Sequence, residues 1–105
     1  MGHAAEKTES RKMLNATDKQ IIAAKAEGLM LFDFGELGMI VAKSRANAQR
    51  MMIERGNSEG SVRYWHGTVV TGKVELCDRW GENSYMESPD VIIAQGEGFR
   101  VTDID

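Results

Sequence analysis

The strongest constraint on the fold is the stretch 37–52, where apolar side chains recur at helical spacing on both sides of a short break. Before the break, the i, i+3 and i+4 positions are Leu37, Ile40 and Val41. After the break, the same spacing recurs at Ala48, Met51 and Met52. This spacing is typical of helices with one buried face, and the Ser44 hydroxyl can cap the second helix. The pattern predicts two short helices joined at residues 42–44, the second over residues 44–55.

The bulk properties of the chain indicate one small globular domain. It has 105 residues, of which 42% are hydrophobic and 28% charged, and this length can bury a core without a metal or a disulfide. No apolar run approaches the roughly 20 residues that span a bilayer, and no apolar segment typical of a signal peptide opens the chain. We therefore expect a cytoplasmic protein with no membrane partner. With Cys77 as the one cysteine and two histidines, we expect no structural zinc site and no cofactor.

Charge is divided unevenly along the chain. The total net charge is −3, whereas a DNA-binding domain is usually basic. Residues 43–56 nevertheless carry four basic side chains against one acidic side chain, a net charge of +3. Residues 57–105 carry four basic and nine acidic groups, a net charge of −5. Because the local field steers a charged partner, the segment 43–56 can attract an anion although the whole chain is acidic.

The first part of the chain predicts a tail, a helix and a strand. Residues 1–16 are polar and are expected to form a flexible tail. Thr17 precedes Gln20 by three residues, the spacing of a capping box, and helix-forming residues follow until Gly28. The short apolar run 29–34 favours a buried strand.

The second half has the composition of β structure. The predicted strands cover residues 62–65, 68–70, 74–77, 91–94 and 99–102. Residues 71–73 are a natural turn for one hairpin and residues 95–98 for another, while residues 78–90 are predicted to be a long loop. The predicted organisation is a tail at 1–16, a compact domain at 17–80 and an extension at 81–105.

The order helix, strand, helix, helix, strand, turn, strand resembles the winged helix-turn-helix, a DNA-binding fold of transcription regulators. Residues 36–45 are similar to that family's second helix and turn, and residues 48–56 to its third helix and the glycine that ends it. Where the family's turn has a glycine and then a hydrophobic residue, this chain has Ala42 and then Lys43. The resemblance covers residues 17–80 and implies an α+β fold, with N-terminal helices and a helix-turn-helix followed by antiparallel β-hairpins.

The resemblance also implies roles for individual side chains on double-stranded DNA. Those that would face base edges in the major groove are Arg45, Asn47 and Gln49. Those that would contact phosphates are Lys43, Ser44 and Arg50. The wing over the backbone or the minor groove would contribute Arg63 and Lys73. On this interpretation the protein is a small regulator of transcription that inserts the helix 44–55 into the major groove.

A DNA reader of this size ordinarily needs to be a dimer on paired half-sites. We therefore expect a homodimer. The predicted contact is the alternating apolar face of the C-terminal hairpin, formed by Val91, Ile93, Phe99 and Val101.

Two other interpretations fit the same residues. Charged side chains on a helix are usually a solvated face without a binding role. Alternatively, the acidic C-terminal half, including Glu82 and Asp90, is the contact surface of a protein-interaction module or inhibitor. No Gly-rich phosphate loop, Ser/His/Asp set or metal-ligand cluster is recognisable in the sequence, so we do not expect an enzyme.

Overall fold

The computed structural model describes residues 14–77 and 84–101, which form a small α+β domain with antiparallel strands. Its helices are α1 (Asp18–Ala26), α2 (Arg45–Glu54), α3 (Glu59–Trp65) and α4 (Pro89–Ile93), and a 3-10 turn covers Gly35–Leu37. Its strands are β1 (Met30–Asp33), β2 (Met39–Ala42), β3 (Thr68–Val69), β4 (Val74–Cys77) and β5 (Ser84–Glu87). The predicted α+β class is confirmed, and most of the predicted tail 1–16 lies outside the described residues.

Helix α1 begins and ends as the sequence predicts. The Thr17 hydroxyl accepts a hydrogen bond from the Gln20 amide at 3.1 Å, and the Thr17 amide donates to the Gln20 side chain at 2.8 Å. The capping box is therefore confirmed. After the helix, Gly28 has a φ of 83°, the left-handed conformation in which glycine commonly ends a helix.

A three-stranded antiparallel sheet in the order β2-β1-β3 lies at the centre of the domain. In the β1–β2 hairpin, Leu31 lies opposite Val41 and Phe32 lies opposite Ile40. Residues 98–100 lie along the free edge of β2, where the Gly98 amide donates to the Val41 carbonyl at 2.7 Å. The predicted strand in the run 29–34 is confirmed as β1.

The first helix predicted for the helix-turn-helix is wrong, because residues 39–42 are strand β2. Gly38 has a φ of 100° and joins β2 to the 3-10 turn, so a helix cannot continue through it. Ile40 and Val41 are both completely buried, one against each face of the sheet. A strand covered on both faces shows no alternation, and its apolar run can mimic helical spacing.

Each face of the sheet covers its own part of the core. One cluster of buried side chains lies between one face of the sheet and the elements α1, α4 and β4. Its members are Ala24, Leu29, Leu31, Val41, Leu76, Ile92 and Ile93. Against the other face, helices α2 and α3 contribute a second cluster: Phe32, Phe34, Ile40, Ala42, Ala48, Met52 and Val62. The domain therefore has three layers, with α2 and α3 together on one side of the sheet.

Three predictions for the second half are wrong. Residues 62–65 belong to helix α3, because Ser58 caps its first turn and Val62 is buried against the sheet. The predicted hairpin around residues 71–73 does not form, since β3 pairs with β1 and β4 pairs with β5. Strand β5 interrupts the predicted loop 78–90, of which residues 78–83 lie outside the described part.

The predicted C-terminal hairpin is also wrong, because Pro89 and a Ser88 cap start helix α4. Three of the four apolar side chains predicted to form an external dimer contact, Ile93, Phe99 and Val101, instead face the core, and Val91 is partly buried in α4. Ile93 is only 8% exposed, and Phe99 and Val101 pack against the same cluster. The alternating face on which that dimer contact rested does not exist.

Candidate functional site

Helix α2 coincides with the predicted helix 44–55, and a cap and a buried face fix its position. The Ser44 hydroxyl accepts a hydrogen bond from the Asn47 amide at 3.1 Å, so the predicted N-cap is confirmed. Ala48 and Met52 are completely buried in the cluster on the α2 side of the sheet. The other faces of the helix carry the polar side chains that the sequence singles out.

Two side chains predicted to read DNA bases bind the protein's own backbone. Arg45 donates from Nε to the carbonyl oxygen of Gly67 at 2.8 Å. Gln49 donates from Nε2 to the carbonyl oxygen of His66 at 2.8 Å. His66 and Gly67 have positive φ angles of 71° and 92°, which are uncommon for a residue with a side chain such as histidine. Arg45 and Gln49 thus hold the connection between α3 and β3.

The remaining predicted side chains fall into two groups. Arg50 donates to Glu54 at 2.9 Å and to the Asn47 side chain at 3.2 Å. Arg63 donates to Glu59 at 3.1 Å. Lys43 and Lys73 are exposed to solvent and belong to neither of these ion pairs.

Arg50 and Arg63 meet at a groove of about 290 Å³ between α2 and α3. Its lining residues are Ala46, Gln49, Arg50, Ile53, Glu54, Glu59, Val62 and Arg63. Val62 is buried at the base, whereas 40% of Ile53 is exposed to solvent. The groove therefore combines an apolar floor with two arginines and two glutamates, whose charges sum to zero.

Sequence reasoning misses the apolar and acidic members of this groove. The sequence does not single out Ile53, Glu54 and Glu59, because they line a groove only when a second helix lies beside α2, and the segment from residue 62 onward is predicted to be a strand. A signal is present, since Glu59 and Arg63 are four residues apart, the spacing of an ion pair on one helix. Together with the Ser58 cap, the pair indicates a helix over this segment, although not its position beside α2.

No family model, no curated protein and no solved structure matches this chain. Within residues 14–77 and 84–101, no three His, Cys, Asp or Glu side chains are grouped so that they could hold a metal ion. None of the helices in those two ranges has the length and apolar character required to cross a membrane.

Proposed function

We propose that this chain is a protein-binding module, without catalysis, whose contact surface is the groove between α2 and α3. The observation that carries the proposal is the exposure of Ile53 beside a buried apolar floor, within a rim of charged residues. Protein interfaces have an apolar centre surrounded by a polar rim, and arginine is enriched in them relative to the rest of the surface. The paired charges give such a surface specificity, because a partner has to replace them with charges of the correct sign.

The groove supports this role better than the acidic C-terminal half does. Asp90 of that half forms an ion pair with Lys25 at 3.0 Å, so part of its charge is compensated within the domain. Glu82 lies outside the described residues. Asp90 is partly buried where α4 packs against α1, so it offers a partner less surface than the groove does.

Peptide selection tests the proposal and needs no candidate partner. Random peptides displayed on phage are selected against the wild-type protein, and their affinities are measured for Ile53→Asp and Ile22→Asp. Ile22 is the matched control, because it is 67% exposed on α1, which covers the opposite face of the sheet. We expect Ile53→Asp to weaken binding by about tenfold or more, roughly 1.4 kcal/mol, and Ile22→Asp to leave it unchanged. A selection without binders, or binders indifferent to Ile53→Asp, contradicts the proposal.

Binding to double-stranded DNA is the second candidate, and the positive charge of residues 43–56 favours it. Lys43 is exposed, and Arg45 binds a neutral carbonyl oxygen, which does not compensate its charge. Since Arg45 and Gln49 are engaged with the backbone, the supported contacts are with phosphates rather than bases. Regulation of transcription and a cytoplasmic location stay predictions.

Salt dependence tests the DNA candidate. Non-specific binding of a labelled duplex is expected at a Kd of about 10⁻⁶ to 10⁻⁴ M, weakening steeply as salt rises. Lys43→Ala should reduce the salt slope by about one unit, whereas Lys19→Ala, an exposed lysine on α1, should not. An absence of binding at low salt contradicts this candidate.

A further inference from the structure

We propose that the partner in the α2–α3 groove is a second copy of this chain. The two-fold axis that relates the copies lies in the plane of the interface and crosses the long direction of the groove at right angles. The inference rests on the proposed function, since it assigns a partner to the same surface.

The order of charges along the two helices carries the inference. On α2, Arg50 precedes Glu54 by four residues, and the connecting loop follows. On α3, Glu59 follows the loop and Arg63 comes four residues later. Both glutamates therefore lie at the end of the groove next to the loop. The Cα atoms of both arginines lie about one helical turn, or about 5.4 Å, farther from it, and each guanidinium reaches back to the glutamate of its own helix.

This arrangement is complementary to itself. A rotation of 180° about an axis through the centre of the groove exchanges its basic and acidic ends. In a pair of copies related by that axis, Arg50 and Arg63 of each copy lie opposite Glu54 and Glu59 of the other. A two-fold interface brings the same surface of both subunits together, so a surface has to be complementary to itself to form one.

The apolar side chain needed at the centre of such an interface is Ile53. It lies between Arg50 and Glu54 in sequence, within the helical turn that separates the basic from the acidic end of the groove. Two copies about the axis would cover Ile53 of one with Ile53 of the other. The four helices would then form two facing layers, the arrangement by which helix pairs bury a shared apolar seam.

The size of the surface makes this dimer weak. Helix α2 has 10 residues, which gives a length of about 15 Å, and neighbouring helices pack about 8–10 Å apart. The two helices therefore present a face of roughly 300 Å² per copy, well below the about 800 Å² per partner of a standard stable interface. Self-association is accordingly expected only at high protein concentration.

Sedimentation velocity on the full chain tests the inference by charge reversal. The wild type is compared with R50E/R63E and with E54K/E59K from about 10 μM to about 1 mM. The control K19E/K73E changes net charge as R50E/R63E does, at exposed positions outside the groove. Circular dichroism establishes that each variant is folded.

We expect the sedimentation coefficients of the wild type and of the control to rise towards the value of a dimer as concentration rises. Each of the two groove variants, measured by itself, should stay monomeric. An equimolar mixture of the groove variants restores the dimer, because one groove is then acidic and the other basic. A wild type that is monomeric at the highest concentration, or groove variants that dimerise like the wild type, overturns the inference.

The outcomes separate this inference from the proposed function. If the wild type is monomeric but selected peptides still bind and lose affinity on Ile53→Asp, only the second copy is excluded as partner. If the wild type is monomeric and peptide binding does not depend on Ile53, the groove has no protein-binding role, and the proposed function fails too.

Discussion

Arg45 donates from Nε to the carbonyl oxygen of Gly67 at 2.8 Å, and this bond ties the first turn of α2 to the residue at which the chain leaves α3. Gln49, one turn farther along α2, makes the equivalent bond to His66. The two bonds fix how α3 lies beside α2, and so they determine the width of the groove between these helices. Side chains that resemble base readers in sequence are therefore part of the scaffold.

Removing this attachment should destabilise the domain. Gly67 is buried, so Arg45→Ala leaves its carbonyl oxygen without that donor, at a cost of about 1–2 kcal/mol. Gln49→Ala should cost less, because His66 is exposed and water can replace the lost donor. Urea unfolding of both variants measures the difference, with Arg50→Ala as the control for loss of an exposed ion pair, expected below about 1 kcal/mol. Equal stability of the Arg45→Ala and Arg50→Ala variants would argue against the structural role.

Gly67 itself should not tolerate a side chain. Its φ is 92°, and a Cβ atom would lie 2.6 Å from Phe34 Cζ, which is completely buried. Backbone strain and overpacking together predict a loss of about 3 kcal/mol for Gly67→Ala. Gly60→Ala is the matched control, because Gly60 lies in α3 with no atom near its Cβ position. That change should stabilise the protein by about 0.5–1 kcal/mol, and the same sign for both changes would contradict the prediction.

Stability should also fall at alkaline pH because of Tyr85. Burial raises the pKa of Tyr85 above 10.0, and the negative charge of Glu87 raises it further, against the lowering effect of the hydrogen bond from the Leu14 amide. The unfolded chain then loses this proton at lower pH than the folded chain, so the contribution is present below about pH 10 and is lost above it. Urea unfolding at about pH 9 and about pH 11 should give a smaller decrease for Tyr85→Phe than for the wild type. If the wild type and Tyr85→Phe lost the same stability between these two pH values, Tyr85 would not be the cause of the alkaline destabilisation.

Predictions from the sequence are correct where a structure depends only on residues that are close together in the chain. The Thr17 and Gln20 capping box and the Ser44 cap depend on residues three apart, and both helices begin where these caps lie. The start of α3 has the same kind of cap at Ser58, but the β propensity of Tyr64 and Trp65 obscures it. The ring of Trp65 packs over Gly35, a contact between distant residues that no local pattern reveals.

The candidate site is predictable in part for the same reason. The sequence singles out both Arg50 and Arg63, but for separate contacts, on a helix and on a wing. Their meeting in one groove depends on α3 lying beside α2, which follows from burial of Val62 on the same face of the sheet as Met52. Long-range packing of this kind overrides local propensity. It is also the reason why residues 39–42, predicted to belong to the first helix of the motif, form strand β2.

The claim that the α2–α3 groove binds a protein partner is tested most directly by NMR. A ¹⁵N-labelled sample is titrated with a peptide obtained from the phage selection, and the amide resonances that shift are mapped onto the fold. We predict that the largest shifts fall on the residues lining the groove, from Ala46 to Arg63, and that they disappear in Ile53→Asp. Shifts confined to α1 or to the β4–β5 ribbon would contradict the claim and move the contact surface to the other side of the sheet.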